Sequence, residues 1–243
     1  MIYNASNTKY QRPELWAYLE KQRFKRIIDI GGADNPWVGN YVTAYLDLRD
    51  PHEYLKGFSN DRLQQDLDKA KVFLGDVNDP DGWEEVSEDV KINGKFDFCI
   101  CSHILEDIRN PPYVIKQLPK IAKAGFIAFP SAHWELGQDT EMLAVKPEDK
   151  NMEDWGLTRT FKGFFHHRWI FILKKNVLWA FPKLNFLEVM EGFEWVRGRN
   201  AFHEMTFWWE GDIPFKLFRD DYLGWLGSLV LRDYRKELIC EDI

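Results

Sequence analysis

The stretch Arg26-Ile27-Ile28-Asp29-Ile30-Gly31-Gly32-Ala33-Asp34-Asn35 decides the fold. A β-branched run carrying one acid reads as a buried strand, and the glycine pair that stops it reads as a tight turn. Glycine has no Cβ, so a turn of this kind lets main-chain N–H groups come close to a ligand. Just upstream, Leu15, Trp16, Tyr18 and Leu19 recur at helical spacing between Arg12 and Gln22, with Pro13 suited to a first turn. Downstream, strands are expected at Tyr41 to Leu48, Lys71 to Leu74, Lys95 to Cys101 and Gly125 to Phe129. Val114, Ile115, Leu118 and Ile121 mark a helix over Pro112 to Ala124. Strands alternating with helices imply an α/β protein with a doubly wound, mostly parallel sheet, whose ligand site lies at the carboxyl ends of the strands.

Beyond Pro130 the alternation stops. Ser131 to Phe161 is polar and irregular, and Trp169 to Leu173 faces Val177 to Trp179 across Lys174-Lys175-Asn176 as a hairpin. This stretch is too long for a plain connection and reads as a lid or substrate-binding insertion. Phe186 to Met190 and Phe202 to Trp209 read as closing strands, and Tyr222 to Glu237 as a terminal helix. The expected organisation is a single domain over 1–243, with a cofactor-binding half at about 12–131, an insertion at about 132–180 and a closing segment at about 181–243.

Composition narrows the function. A net charge of -7 leaves no general basic surface for a phosphate backbone, so nucleic acid is not expected as a partner. Three cysteines, Cys99, Cys101 and Cys240, make neither a disulfide framework nor a metal cluster, which fits a reducing, cytoplasmic setting. Met1 to Gln11 is polar and no run reaches the roughly 18 apolar residues of a bilayer span, so a soluble protein without a membrane partner is expected. Aromatic residues reach 16%, with 11 tryptophans, and many fall after Trp134; a large core or a ring-lined pocket both account for them.

Three strand ends carry groups suited to a nucleoside. Asp47 closes the second strand about 18 residues after Asp29, near the spacing at which a Rossmann unit sets a carboxylate against ribose hydroxyls. Asp76, after the third strand in Phe73-Leu74-Gly75-Asp76-Val77, stands where an acceptor meets an adenine amino group while Val77 packs on the ring. Taken singly, each acid also fits a strand-end cap.

With these residues in place, the chain resembles the class I S-adenosylmethionine-dependent methyltransferases, in particular the small-molecule branch related to quinone and sugar methyltransferases. Three stretches between Arg26 and Ser131 carry the resemblance: Ile28 to Pro36, Gly75-Asp76-Val77, and Phe96-Asp97-Phe98-Cys99-Ile100-Cys101-Ser102-His103-Ile104-Leu105-Glu106-Asp107-Ile108. The last is similar to the family's fourth-strand signature, an aspartate opening the strand and a Ser-His-x-Leu-Glu turn after it. The resemblance implies a Rossmann-like sheet of about seven strands with an insertion after the fifth, and S-adenosyl-L-methionine as cofactor. It implies that Asp29, Gly31, Gly32 and Ala33 border the methionine part, Asp47 and Leu48 the ribose, Asp76 and Val77 the adenine, and Cys101, Ser102 and His103 the sulfonium end. Ala33 and Asn35 depart from the second and third glycines usual in the turn, and Asp107 stands where this branch often has a second histidine.

Methyl transfer from a sulfonium is an in-line displacement and needs a base only for an acceptor that must lose a proton. His103 is the leading base candidate, with Asp107 beside it as a second catalytic candidate; a structural histidine is the alternative. Ser131, His133, His166, His167 and Arg168 are candidate substrate contacts. Adjacent strand residues such as His166 and His167 point to opposite faces, so no metal site is expected of them. Asn110-Pro111-Pro112-Tyr113 spells an amino-methylating signature, but it begins about eight residues past the strand end, where Pro111 and Pro112 more simply open a helix. The expected function is methyl transfer to oxygen or nitrogen of a small polar acceptor, with a saccharide or related metabolite favoured by the resemblance alone. A cofactor-binding scaffold without turnover and a nicotinamide-dependent oxidoreductase are the alternatives.

Overall fold

A computed structural model of the chain describes residues 12–32, 41–54, 68–137, 164, 166–185, 187, 204–218 and 238. Helix α1 (Arg12–Gln22) precedes strand β1 (Ile27–Ile30), followed by β2 (Ala44–Asp47) and the one-turn helix α2 (Pro51–Tyr54). Next come β3 (Lys71–Leu74), α3 (Glu84–Asn93), β4 (Phe98–Ser102), α4 (Pro111–Ile121) and β5 (Ala124–Pro130). The chain continues through α5 (Ala132–Gly137), β6 (Trp169–Lys174), β7 (Val177–Pro182), β8 (Glu204–Glu210) and β9 (Phe215–Leu217).

Among the described residues the strands form two sheets. The larger has the order β3-β2-β1-β4-β5-β8, parallel throughout except for β8, which runs antiparallel to β5 from Ala124 opposite Glu210 to Pro130 opposite Glu204. This is the mostly parallel Rossmann-like sheet that the resemblance implied, with six strands described rather than about seven. The hairpin does not extend it. β6 and β7 pair with β9 in a sheet of their own, and Lys175 and Asn176 turn the hairpin with φ of 48° and 65°, the double left-handed geometry of a type I′ turn.

Alternation along the strands sends side chains to two cores. On one face Ile28, Ile30, Leu46, Phe73, Cys99, Cys101, Ile127 and Phe129 pack with Val86 of α3 and with Val114, Ile115, Leu118 and Ile121 of α4. On the other, Ile27, Tyr45, Phe98, Ile100, Phe126 and Ala128 pack with Leu15 and Leu19 of α1. Helices therefore cover both faces, as a parallel sheet requires. Part of the aromatic content belongs here, since the Trp208 ring lies 4.9 Å from both Tyr18 and Phe126 in edge-on contact.

The amino edge is stapled by acids. Asp97, just before β4, accepts the main-chain N–H groups of Lys25 and Arg26 at 3.0 and 3.1 Å and the Lys123 ammonium at 2.7 Å. One carboxylate thus ties the starts of β1, β4 and β5. Asn110 caps α4 by accepting from the Tyr113 N–H at 3.3 Å, and Pro111 stands in the first turn, so the Asn-Pro-Pro-Tyr run is a helix start.

Helices α2, α3 and α5 and strand β9 were not anticipated from sequence, α5 standing where an irregular stretch was expected from Ser131 onward, and the proposed strand at Phe186 to Met190 lies outside the described residues apart from Leu187. So do the terminal helix, Phe202, and the insertion between 138 and 163. No helix among the described residues is long and apolar enough to cross a membrane.

Gly125 sits between Cys99 and Trp209 on its two neighbouring strands, and a Cβ there would come within 2.5 Å of the Cys99 carbonyl and 2.6 Å of the Trp209 ring. Gly125→Ala should lower the unfolding free energy by about 1–3 kcal/mol, the scale of overpacking. Urea denaturation yielding wild-type stability would show that β8 does not pack against β5 this closely.

Candidate functional site

Register places the sequence-derived residues along one edge. Ile30 lies opposite both Leu46 and Cys101, Asp47 opposite Leu74, and Ser102 opposite Ala128, so the carboxyl ends of β1 to β5 finish nearly level. Main-chain bonds extend the alignment into the turns: the Gly31 N–H donates to the Leu46 carbonyl and the Gly75 N–H to the Asp47 carbonyl, both at 2.9 Å. Gly31, Asp47, Asp76 and Ser102 are thereby brought to one edge of the sheet. Asp29, Asp47 and Ser102 share the alternation of Ile27, Tyr45 and Ile100, and so stand on the α1 face of the sheet.

Two glycines are required by geometry. Gly31 has φ of 71°, and a Cβ on it would overlap Ile104 at 2.1 Å; a Cβ on Gly32 would meet the Asp29 carboxyl group at 2.3–2.6 Å. The Asp29 carboxyl group therefore lies directly beneath the turn. Ala33 lies outside the described residues.

Asp29 is buried, and its pKa is pushed up to about 7, first by burial and then by the nearby charge of Asp47, against a lowering hydrogen bond from the Ile30 main chain. The two carboxyl groups stand on the same face of adjacent strands and repel each other, so Asp29 shares its charge with a proton near neutral pH. Asp47 accepts from the Arg49 N–H at 3.2 Å. Burial raises the pKa of Asp76, but hydrogen bonds from the Asn78 main chain and side chain, together with the Arg109 charge, outweigh it and hold the pKa low. Asp76 is thus an ionised strand-end acid that partly serves its own turn, with Arg109 at 3.0 Å.

The structure also places Val77, Cys101 and Leu48, the other expected cofactor contacts. Val77 is buried in the core, and its carbonyl accepts from the Trp83 indole at 2.9 Å, so its side chain turns inward rather than toward a ring. Cys101 lies in the core on the face opposite Asp29 and Ser102, with its thiol pKa pushed up by burial; it can offer the crevice only main-chain atoms. Leu48 is exposed just past the end of β2.

The histidine after β4 is not a free base. His103 adopts φ of 53°, an uncommon left-handed conformation for a non-glycine residue, while its N–H donates to the Ala128 carbonyl at 2.9 Å. That conformation sets its ring between two buried carboxylates, with Nδ1 3.2 Å from Glu106 Oε1 and Nε2 2.5 Å from Glu204 Oε1. Burial lowers its pKa, but the hydrogen bonds and charges of the two acids outweigh burial and raise it to about 10. At neutral pH His103 is an imidazolium with both N–H groups committed. This corrects the base assignment made from sequence. The Ser102 hydroxyl, one residue earlier, is buried with no hydrogen-bond partner among the described residues.

A second polar cluster lies beside the first because the Arg168 and Trp169 N–H groups both donate to the Glu106 carbonyl, tying the start of β6 to the loop after β4. His166 and His167 precede β6 in an irregular turn, not in a strand. Their rings lie 4.6 Å apart, edge to face, which overturns the expectation of opposite faces. Asp107 Oδ1 lies 3.8 Å from His166 Nε2 and 3.7 Å from His167 Nε2. His167 Nδ1 is 2.8 Å from Glu135 Oε2, and Lys183 Nζ is 2.5 Å from Glu135 Oε1. Burial raises the Asp107 pKa, mainly, and the charge of Glu106 adds to this, giving about 6.

The remaining substrate candidates separate. The Ser131 hydroxyl accepts from the Trp134 N–H at 3.0 Å and caps α5. His133 lies on α5 with its side chain outside the described residues, and the Arg168 side chain is exposed. Glu204 and Lys183 gave no sequence signal, since each joins the site from far along the chain. Glu106 lay inside the quoted Ser-His-x-Leu-Glu turn but was not read as a partner of His103.

No protein-family profile and no curated protein matches the chain. Solved structures do. The N-terminal domain of EvdMO1, crystallised with SAH bound, is 15% identical over 56% of this chain with a TM-score of 0.38, and the chain spans only 56% of that domain's length. The methyltransferase domain of bacterial CtHen1 is 9% identical over 86% of this chain and 100% of its own, with a TM-score of 0.45. A putative methyltransferase from Bacillus halodurans is 11% identical over 49% of this chain and 52% of its own, with a TM-score of 0.33. At such distances the likenesses carry no functional argument, and the class of fold rests on the strand order described above.

The His103 pair has a pH signature. A folded-state pKa raised above 6.5 means that its stabilising contribution is complete below about pH 6.5 and is lost as pH rises toward 10. His103→Ala should cost about 2 kcal/mol at pH 6, reduced from the usual value for a broken buried pair because 37% of the side chain is exposed. Adding Glu204→Gln should recover part of that loss in a denaturation cycle. Strictly additive losses would remove the ion pair from the account.

Proposed function

We propose that the chain is an S-adenosylmethionine-dependent methyltransferase, acting in the cytoplasm on an oxygen or nitrogen atom of a small polar acceptor, with a saccharide or related metabolite favoured. The observation that carries the reading is the convergence of Gly31, Asp47, Asp76 and Ser102 on one carboxyl edge above the partly protonated Asp29. The cofactor supplies an electrophilic methyl group on a cationic sulfonium. Asp29 and Asp47 give the crevice the negative charge that suits a sulfonium and an ammonium, Asp47 offers acceptors to a ribose diol, Asp76 to an adenine amino group, and the orphaned Ser102 hydroxyl finds a partner. The same charge disfavours a dinucleotide pyrophosphate, which sets the nicotinamide reading second.

In this reading the residues of the chain chiefly align and exclude water. His103, already protonated, positions Glu106 and Glu204 and braces the loop that carries Asp107. For an acceptor that must lose a proton, Asp107 on the same loop remains the catalytic candidate, since His103 holds its protons between two carboxylates. The acidic net charge favours a free metabolite over nucleic acid as acceptor.

Calorimetric titration tests the proposal. S-adenosylhomocysteine should bind in preference to NAD, and Asp47→Ala should weaken that binding by about 1–3 kcal/mol, the scale for stripping a partner from a buried polar group. Preference for NAD would discard the methyltransferase reading, and unchanged affinity in the variant would discard the ribose role of Asp47. S-adenosylhomocysteine binding with no methyl release on any acceptor would leave a scaffold.

A further inference from the structure

We propose that Asp107, His166 and His167 form a binding site for a first-row divalent transition-metal cation at the rim of the crevice. One ligand atom from each of the three lies within 4.8 Å of the others. Asp107 Oδ1 is 3.7–3.8 Å from both Nε2 atoms, too far for hydrogen bonds, and it is buried without a hydrogen-bond partner among the described residues. Donor atoms bound to one ion at 2.0–2.2 Å stand about 3.0–3.4 Å apart, so closing on an ion brings Asp107 Oδ1 nearer each nitrogen by about 0.3–0.8 Å, and a separation as wide as 4.8 Å would close by more than an ångström through rotation of the half-exposed His166 ring.

The placement of His167 supports the site as well. Glu135 is a buried carboxylate locked by Lys183, and it can only accept, so His167 Nδ1 donates to it. That contact holds the ring with Nε2 facing Asp107 Oδ1 across 3.7 Å, a gap without a direct hydrogen bond. The Glu135 contact is the outer carboxylate that metal-bound histidines ordinarily carry, fixing ring orientation and raising basicity. His103 shows the contrasting case, because its 2.5 Å contact to Glu204 is already bridged by a proton.

Two imidazoles with one carboxylate suit zinc, iron, cobalt or manganese better than magnesium or calcium. Three protein ligands leave positions open, and the His166 side chain is half exposed, so those positions are accessible from solvent. Asp107 lies five residues past Ser102 on the loop that leaves β4. An acceptor hydroxyl bound to the ion would be oriented beside the proposed cofactor crevice and made more acidic. That use rests on the methyltransferase reading; the ion site does not.

The full chain, stripped with chelator, is titrated with Co²⁺ and followed by its d–d absorption. One ion per chain should bind in the micromolar range, and His166→Ala and Asp107→Ala should each weaken binding at least about tenfold. His52→Ala, which removes a histidine on α2, should leave binding unchanged. Because His166 is half exposed its variant is expected to fold, and circular dichroism checks this. No saturable binding below about 1 mM, or binding equal in His166→Ala and wild type, overturns the site. The stripped protein is titrated in parallel with S-adenosylhomocysteine: nucleoside binding without cobalt binding rejects the ion and spares the methyltransferase reading, and cobalt binding without nucleoside binding does the reverse.

Discussion

The level finish of the parallel strands at their carboxyl ends is the constraint on which the rest depends. Side chains alternate with a period of two, so a one-residue slip of β1 against β2 or β4 would send Asp29 into the core that holds Cys101, and would move Ile28 and Ile30 to the α1 face in its place. The two cores exclude that slip, since each needs every second residue of every strand. Register, not any single contact, therefore sets Asp29, Asp47 and Ser102 on one face and levels Gly31 with Gly75.

Gathering acids at this edge creates an electrostatic cost that the structure meets in different ways. At the crevice Asp29 takes up a proton near neutral pH because Asp47 is close and water is excluded. Below the loop after β4, Glu106 and Glu204 share the imidazolium of His103, and Glu135 is held by Lys183. Asp76 has Arg109, and at the opposite edge Asp97 has Lys123 and two main-chain N–H groups. The interior acids thus acquire partners that hold them, while Asp29 and Asp107 retain pKa values near the working range of a cell. Groups held for stability and groups left adjustable are separated by only a few residues on the same loop.

Much of the frame was legible in the chain. The Ile27 to Ile30 run, the Lys71 to Leu74 run, the helix at Arg12 to Gln22 and the hairpin about Lys175-Asn176 all followed from local periodicity and turn chemistry. The Asn-Pro-Pro-Tyr tetrapeptide was separated from its functional namesake by its distance from a strand end, and it proved to be a cap. Helix α3 went unread because its Glu- and Asp-rich face obscures a narrow apolar stripe at Val86 and Val90. Strand β9 is three residues long, too short for a periodic signal.

Sequence by itself determined the strand-turn units, the acids at their ends and the alternation that calls for a parallel sheet, because each depends on neighbours a few residues apart. Only the tertiary structure decided that His103 is an imidazolium, since Glu204 reaches it from 101 residues away. It likewise decided that His166 and His167 lie side by side, because they stand in a turn tied to the Glu106 carbonyl rather than in a strand. A protonation state is fixed by the charges and solvent within a few ångströms, and only the folded chain settles which groups those are.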